Sequence, residues 1–403
     1  MKLNLNNTRY LKSISRTIWI LSIVSLLTDT ASEMLYPILP IYLKTIGFSV
    51  ALIGILEGIA EAIAGLSKGY FGKLSDISGK RVPFVQMGYF LSAIAKPMMA
   101  VFIYPLWIFF SRTLDRFGKG IRTGARDAIL SEQATPETKG TIFGFHRSMD
   151  TFGAVLGPLL ALLYLYFHPQ NYRTLFFIAF LPGFFAILTS FLLKDKAVII
   201  QKPNVRTSFF SFLKYWTVSS ADYKKLVTGL LIFALVNSSD VFLLLKAKQG
   251  GLDDTIVIML YVFYNLIYAL FAFPLGIIGD RIGLKKILIF GLILFSLVYS
   301  GMSVNENTIF YYVLFFLFGV YAAATEGVSK AWIANITLKK DVATAIGTFA
   351  GLQSICTMIA STLTGLIWLL FGAATALICT AVVTLIVAAY LMTVPNPSNN
   401  LND

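Results

Sequence analysis

The chain has 403 residues, of which 57% are hydrophobic and only 13% are charged. Soluble domains carry about 25% charged residues, so this composition excludes a soluble enzyme, a disordered chain and a fibrous protein. The net charge of +13 is spread between apolar runs and is not gathered in one basic patch, as in loops beside a membrane. The sequence therefore predicts an integral membrane protein surrounded by a lipid bilayer, with no nucleic-acid partner.

Residue types that build metal centres and disulfide frameworks are scarce in this chain. It has two cysteines and two histidines, and Cys356 and Cys379 both fall in apolar stretches. Such a set is too small for a disulfide framework or a zinc cluster. The sequence also lacks the His-Glu-x-x-His element of metalloproteases and the Gly-x-x-x-x-Gly-Lys-[Ser/Thr] loop of ATP-driven pumps. We expect no metal, no cofactor and no enzymatic activity.

Twelve apolar stretches recur along the chain. A helix that crosses the hydrocarbon core needs about 20 mostly apolar residues. Spans one to twelve are predicted at 18–43, 51–72, 83–103, 105–130, 140–166, 174–193, 226–246, 255–277, 286–303, 308–333, 342–369 and 373–393. Alternating β-barrel patterning is absent, so the predicted fold is an all-α integral membrane protein with twelve transmembrane helices. The predicted domains are an N-terminal six-helix bundle (1–193), a cytoplasmic linker (194–225) and a C-terminal six-helix bundle (226–403).

Lysine and arginine are concentrated in alternate loops. They are frequent before span one, after span two and in the 194–225 segment, and sparse in the loops between. Positive residues near transmembrane helices favour the cytoplasmic side. We therefore expect a multi-pass protein of the cell inner (cytoplasmic) membrane, with both termini and the linker in the cytoplasm.

A short motif occurs twice, once in each half. Gly72, Asp76, Gly79, Lys80 and Arg81 follow span two. The second copy follows span eight and consists of Gly276, Asp280, Arg281 and Gly283. The two copies are 276 − 72 = 204 residues apart, about half of the chain. An internal duplication at this period predicts two six-helix bundles related by pseudo-symmetry, as in many secondary transporters.

These loops resemble the signature of the major facilitator superfamily, and the resemblance covers nearly the whole chain. Five further blocks look like one group of bacterial permeases with poorly defined substrates: 27–37, 114–127, 145–150, 237–240 and 325–330. The resemblance implies two pseudo-symmetric six-helix bundles that work by alternating access. It implies a gating role for both signature loops, to which we add Arg147 and Asp150 at the start of span five. Gly153, Gly157 and Pro158 resemble an element that is frequent in exporters, and we predict a hinge there.

Span one carries two acids inside its apolar run. Asp29 and Glu33 are four residues apart and share a helix face near the middle of the membrane. Two carboxylates this close in a low dielectric do not both ionise easily, so we predict that they carry protons. Asp115 of span four is the third proton-coupling candidate. The alternative for these acids is structural pairing with bases on other helices.

The resemblance places spans one, four, seven and ten around the central pathway. Charge inside a span is costly and calls for a partner or a task. The predicted substrate-pathway residues are Arg112, Arg116, Lys119, Asn237, Asp240, Glu326 and Lys330. The alternatives are a local Asp115–Lys119 pair in span four and a local Glu326–Lys330 pair in span ten. Glu57 and Glu61 of span two are predicted to form structural or outer-gate pairs.

We therefore expect a secondary active transporter that moves a small polar or zwitterionic organic solute. The proton gradient is its expected energy source, efflux is slightly favoured and the working unit is expected to be a monomer. Three alternatives remain on sequence grounds. These are a lipid or lysolipid flippase on the same scaffold, an importer of a siderophore-like metabolite, and a sensor that does not transport.

Overall fold

The computed structural model describes residues 14–195, 208–305 and 307–394, and within these ranges the chain forms helices and no strand. We number the twelve long helices α1 to α12, so that they follow the order of the predicted spans. The first half comprises α1 in two segments (Arg16–Glu33 and Leu39–Thr45), α2 (Val50–Ser78), α3 (Val82–Val101), α4 (Pro105–Glu132), α5 (Lys139–Phe167) and α6 (Tyr172–Ser190). The second half comprises α7 in two segments (Ala221–Ala234 and Val241–Gln249), α8 (Asp254–Ile282), α9 (Leu284–Val304), α10 (Thr308–Asn335), α11 (Val342–Phe371) and α12 (Ala373–Thr393).

The helices differ in how apolar they are. Of the helices in the described ranges, eight are long and apolar enough to cross a membrane on these grounds alone. The other four long helices are α1, α2, α4 and α7, which carry several charges or are broken. Charged residues in a membrane helix face the bundle interior and mark pathways. The prediction of an all-α membrane protein with two six-helix bundles is confirmed, and its least apolar helices are the ones expected to line a pathway.

Polar residues set where several helices begin and end. Ser49 accepts a hydrogen bond from Leu52 N at the start of α2, and Ser220 accepts one from Tyr223 N at the start of α7. Asp253 does the same for Ile256 N at the start of α8. These side chains satisfy backbone donors that have no partner within the helix. α2 ends at Ser78 and is capped by Gly79, whose φ of 61° is the left-handed conformation that glycine tolerates.

Two predicted spans are wrong in detail because their helices are broken. Span one was predicted as continuous over 18–43, but α1 is interrupted at 34–38 around Pro37, which has no N–H to donate. Span seven was predicted as continuous over 226–246, but α7 is interrupted at 235–240. The hydroxyl of Ser239 accepts from Val241 N there, which competes with helical bonding. α7 also begins at Ala221, within the predicted linker.

The two halves meet tightly at one end of the molecule. We call this end the linker side, because α2 ends there and residues 208–220 lie there; the opposite end is the far side. α5 and α8 form the α5–α8 seam, in which a Cβ on Gly144 would lie 2.5 Å from the carbonyl oxygen of Ala272 and one on Gly276 would collide with Gly140. Small residues let helix backbones approach this closely. The seam therefore closes the linker side on one flank.

The α2–α11 seam closes the other flank in the same way. A Cβ on Gly65 would lie 2.6 Å from Cβ of Ser354, and one on Gly347 would collide with the backbone of Lys68. The side chain of Lys68 donates to Ser354 Oγ at 3.0 Å across this seam. Both seams lie in the linker-side parts of their helices, so the closure is confined to that side.

Part of the predicted polar linker is a short helical segment that packs an apolar side chain against the bundle. Residues 209–214 form a short 3-10 helix, and 215–218 form one further helical turn. Phe212 is 1% exposed, packs against Gly69 of α2 and accepts a hydrogen bond at its carbonyl from Thr348 of α11. Lys73 of α2 donates to Ser211 O at 2.8 Å. This segment therefore covers the α2–α11 seam.

Candidate functional site

A cavity of about 400 Å³ lies between the halves, toward the far side. The outer segments of α1 and α7 line it, together with parts of α2, α4, α5 and α8. Its lining residues are Tyr36, Pro37, Leu39, Pro40, Glu57, Arg112, Pro158, Asp240, Val241, Leu244, Val257, Ile258 and Tyr261. Its size is in the range of small-molecule sites. The breaks in α1 and α7 occur beside it, in corresponding positions of the two halves, where broken helices mark binding sites in transporters.

Two acids from opposite halves bind tyrosines at this cavity; Asp240 lines it, and Glu33 contacts the lining residue Tyr261. Glu33, the last residue of the inner segment of α1, accepts a hydrogen bond from the hydroxyl of Tyr261 at 3.0 Å. Asp240, in the break of α7, accepts a short hydrogen bond from Tyr264 and another from Ser239 Oγ at 3.4 Å. In the described part of the chain neither acid forms an ion pair. Both carboxylates are therefore held by neutral donors.

Arg112 of α4 is the centre of a paired cluster beside the cavity. Its guanidinium binds Glu57 of α2 through two contacts of 2.7 and 2.8 Å, and lies 3.2 Å from Asp115. Lys96 of α3 reaches Asp115 from the other side at 3.5 Å. The alternative of a local pair between Asp115 and Lys119 is wrong, because both partners of Asp115 are other bases. Asp115 remains a proton-coupling prediction, although it is bound by two cations.

Arg116 occupies the next position on the same face of α4. Its guanidinium lies 3.6 Å from Glu61 and 3.9 Å from Glu57. The predicted pairing of Glu57 and Glu61 is therefore with bases of α4. These two acids and Asp115 balance the charges of Arg112, Arg116 and Lys96.

Asp29 and Lys119 are charged neighbours, and neither of them forms an ion pair within the described ranges. Asp29 forms no ion pair and no side-chain hydrogen bond within the described ranges, and its charged neighbours are Glu33, Lys119, Arg122 and Asp150. Lys119 is exposed in the structure and is also a charged neighbour of Glu33. A buried charge usually needs partners or a task. The side chain of Asp29 is therefore available for proton or solute binding.

Two ion pairs join the halves closer to the linker side than Asp29 and Lys119. Lys330 of α10 binds Asp127 of α4 at 2.7 Å, and Glu326 of α10 binds Arg147 of α5 at 2.8 Å. We call them the crossed ion pairs, because each half supplies one acid and one base. The alternative of a local Glu326–Lys330 pair is therefore wrong. The sequence spacing allowed both pairings, and only the position of the facing half decided between them.

Asp150 connects the crossed ion pairs to α1. Its carboxylate is bound by Arg147 at 2.7 Å and accepts from Ser25 Oγ at 2.5 Å. Arg126 donates to the same serine at 3.3 Å and forms an ion pair with Asp127 at 2.9 Å. The network therefore runs continuously from α1 through α5 and α4 to α10.

The signature acids reach helix N-termini in the opposite half. Asp76 accepts from the backbone N and hydroxyl of Thr344, at the start of α11, at 2.6 and 2.7 Å. Asp280 accepts from Gly140 N at 2.7 Å, and from the N and hydroxyl of Thr141 at 2.6 Å, at the start of α5. A carboxylate at a helix N-terminus is favoured by the partial positive charge there. The two loops make equivalent contacts on the two seams.

The remaining signature residues differ between the copies. Arg81 lies 2.9 Å from Asp76 and 2.5 Å from Glu132 of α4, while Lys80 is exposed. Gly79 and Gly283 both have positive φ, at 61° and 105°. These glycines permit the turns that follow α2 and α8. Gly72 and Gly276 lie in the seams already described, and the gating roles stay predictions.

The predicted hinge in α5 is a close helix contact in this structure. A Cβ on Gly153 would lie 2.5 Å from Leu26 O of α1, and one on Gly157 would lie 2.6 Å from Met34 N. α5 continues without interruption through Pro158. The interruptions occur in α1 and α7 instead, and hinge motion in α5 stays a prediction.

Several residues at the site were missed on sequence grounds. Tyr36 and Tyr261 stack with ring centroids 6.5 Å apart across the two halves, and Tyr264 binds Asp240. The spacing of tyrosines at 261, 264 and 268 on one helix face was a usable signal. Asn237 donates to the hydroxyl of Tyr321 at 3.2 Å and lines a second, small cavity together with Glu326 and Lys330.

The expectation that the chain has no Gly-x-Ser-x-Gly motif is wrong. Residues 65–69 read Gly-Leu-Ser-Lys-Gly, the spacing of a serine-hydrolase nucleophile turn. Ser67 lies inside the helix α2, is 1% exposed and packs against Gly120 of α4. The strained strand-to-helix turn that exposes such a nucleophile does not occur there, so the spacing reflects helix packing.

Comparisons with known proteins agree with this architecture. The family model described as the Major Facilitator Superfamily matches residues 21–252 and 226–403. An uncharacterized MFS-type transporter of Methanocaldococcus jannaschii is 31% identical over 363 residues, covering 89% of each chain. A multidrug resistance protein of Klebsiella pneumoniae, MdtG, is 27% identical over 309 residues, covering 73% of this chain and 72% of that protein. The crystal structure of the human organic anion transporter MFSD10 superposes with a TM-score of 0.78 at 16% identity, covering 93% and 99% of the two chains.

Proposed function

The chain belongs to the Major Facilitator Superfamily of secondary transporters, and we propose that it exports a small organic solute in exchange for protons. In this proposal the two bundles, 1–193 and 226–403, rock about the central site as a monomer. Solute binds in the cavity between them, and protonation of the Asp29 side chain biases which side is open.

The contrast between the two ends of the molecule is the observation that carries the proposal. The linker side is closed by two glycine-lined seams, two signature acids and the crossed ion pairs. The far side holds a cavity of about 400 Å³ between the same two halves. A closed side opposite a cavity is the arrangement of one state in alternating access. The state described therefore has a closed linker side and a solute-sized cavity toward the far side.

Asp29 is the best-supported coupling residue. It is an acid near the middle of the bundle with no ion-pair partner among the described residues. It is flanked by Glu33 on its own helix, Lys119 and Arg122 on α4, and Asp150 on α5. Because Asp150 belongs to the crossed network, a change in the charge of Asp29 acts directly on the groups that close the linker side.

Charge distribution supports a cytoplasmic location for the linker side. It carries Lys73, Lys80, Arg81, Lys214, Lys224, Lys225, Lys285, Lys286, Lys339 and Lys340. The far side carries Lys44, Arg173, Lys246 and Lys248, at the ends of its helices. By the positive-inside rule the linker side faces the cytoplasm of a bacterial-type inner membrane. The multidrug resistance relative supports efflux, which then proceeds toward the far side.

The coupling can be tested without knowing the solute. Spin labels at Ile41 and Leu245, exposed on the outer segments of α1 and α7, report the far-side distance between the halves in a Cys356→Ser, Cys379→Ser background. We expect this distance to change between pH 5 and pH 9, and Asp29→Asn to abolish the change. Asp222→Asn, on the linker side of α7, is the matched control and should respond like the parent protein.

The transport step is tested in liposomes. Protein reconstituted with an imposed proton gradient should dissipate it when a member of a panel of amines, amino acids and drugs is added. Asp29→Asn should lose this response. If the Asp29→Asn variant still shows the same change in distance between pH 5 and pH 9 as the parent protein, Asp29 is not the coupling residue. Glu33 and Asp115 are then the next candidates.

A further inference from the structure

The residues that line the cavity indicate what kind of solute it can bind. Its walls are mostly apolar, formed by proline, leucine, valine and isoleucine side chains with two tyrosine rings. Such walls favour the burial of an apolar body at about 25 cal/mol per Å². A fully hydrated polar solute would lose water there without compensation. The ligand therefore needs a substantial apolar part.

The charges at the cavity favour one sign of ligand. Glu33 and Asp240 are held by tyrosine and serine hydroxyls and not by bases. Arg112, the base that lines the cavity, is already engaged by Glu57 and Asp115. Lys119 lies deeper along α4 and is a charged neighbour of both Asp29 and Glu33. A cation in the cavity meets Asp240 in the wall and Glu33 beside Tyr261, neither of them in an ion pair in the described part of the chain, whereas an anion meets no unpaired base among the lining residues.

The aromatic residues at the same place reinforce this selection. Tyr36 and Tyr261 stack at an interplanar angle of 21° across the two halves. Asp240 and Glu33 are charged neighbours of both rings. Ring faces attract ammonium and other onium groups, by about 0.5–2 kcal/mol each. Aromatic rings and carboxylates together therefore form a recognition site for a positive group.

We propose that the cavity binds an amphipathic organic cation, with its charged centre between Glu33 and Asp240 against Tyr36 and Tyr261, and its apolar body along Leu244 and Val257. This inference rests on the proposed function, since it names the solute class of the same site. Glu33 and Tyr36 belong to the first half, Asp240 and Tyr261 to the second. A cation bound between them draws the halves together on the far side.

Binding of radiolabelled tetraphenylphosphonium to the purified full-length protein in detergent tests the inference. Tetraphenylborate has nearly the same shape and the opposite charge, and serves as the matched probe. We expect saturable phosphonium binding that the borate ion does not displace. Asp240→Asn and Glu33→Gln should each weaken it by about tenfold, while Asp222→Asn should leave it unchanged. Binding within twofold of the parent in both site variants, or equal competition by borate, overturns the inference.

Tyr261 supplies a second test that does not depend on the stability of the acid variants. Tyr261→Phe removes the hydrogen bond to Glu33 but keeps the ring, so phosphonium binding should persist. Tyr261→Leu removes the ring and should weaken binding severalfold; equal binding in both variants contradicts a role for the ring. The assay uses no proton gradient, so its result is independent of the pH-dependent distance measurement that tests the coupling.

Discussion

Replacing Lys330 by glutamine removes one of the crossed ion pairs. The Lys330 ammonium lies 2.7 Å from Asp127 Oδ2, and the two side chains are 14% and 1% exposed. Because Asp127 keeps Arg126 at 2.9 Å, the substitution does not leave an isolated charge in the interior. The loss is that of a hydrogen bond to a charged group, about 1.5–3 kcal/mol, and not the larger penalty of an orphaned ion.

This loss falls on one state of the transporter. The contact joins α4 to α10 across the halves, and opening of the linker side separates these helices. Lys330→Gln therefore destabilises the closed linker side more than the open one. A difference of about 2 kcal/mol multiplies the population of the open state by roughly 30.

A cysteine buried in the α2–α11 seam can report this change in the population of the open state. Thr348 is fully buried at the α2–α11 seam, and a cysteine there, in a Cys356→Ser, Cys379→Ser background, reacts with a membrane-impermeant maleimide only when the linker side opens. We expect roughly 30-fold faster labelling with Lys330→Gln. Lys224→Gln removes a half-buried linker-side charge whose side chain donates to Thr217 O and should leave the rate unchanged.

The effects of substituting Asp127 and Lys330 on the labelling rate should not be additive. If the pair acts as described, Asp127→Asn and Lys330→Gln combined should accelerate labelling no more than the stronger single variant. An unchanged rate in Lys330→Gln, or fully additive effects in the double variant, would refute the role of this pair in closing the linker side.

Two further outcomes follow from the packing. Gly276→Ala places a methyl group against Gly140 and should keep the α5–α8 seam open, giving faster labelling of the Thr348 cysteine, whereas Gly58→Ala has open space around it and should match the parent. Lys96→Met leaves Asp115 with Arg112 as its base and should lower the thermal unfolding temperature, since losing a hydrogen bond to a charged group costs about 1.5–3 kcal/mol. The double variant Lys96→Met, Asp115→Leu should recover part of this loss in the same melting assay, and a lower temperature in the double variant would contradict the account.

The fold was accessible from the sequence because its signals are local or repeated. Apolar runs of membrane length and the duplicated loop at Gly72 and Gly276 are visible without knowing any contact. The resemblance to the major facilitator superfamily, which rested on these features, is confirmed by the family model. The breaks in α1 and α7 were not predicted, although Pro37 and the Asn-Ser-Ser-Asp run at 237–240 are their sequence signals.

The site was less accessible because pairing between helices is not a local property. Glu326 and Lys330 are spaced for a pair on one helix, yet each binds a residue of the opposite half. Likewise Asp115 of α4 binds Lys96 of the neighbouring helix α3. Helical spacing identifies which residues share a face, but only the neighbouring helices decide which of several possible charges is closest.

The apolar segment around Phe212 makes the two flanks of the linker side unequal. The seams themselves are near copies, each with close glycines and a signature acid at a helix N-terminus. Phe212 covers only the α2–α11 seam, where it fills the space beside Gly69 and Thr348. Parting α2 from α11 therefore requires withdrawal of this phenyl ring, a step for which the described residues offer no counterpart on the α5–α8 flank. The two seams of this pseudo-symmetric protein therefore need not open together. The α5–α8 seam can open first, and the α2–α11 seam opens only after the segment around Phe212 has moved away.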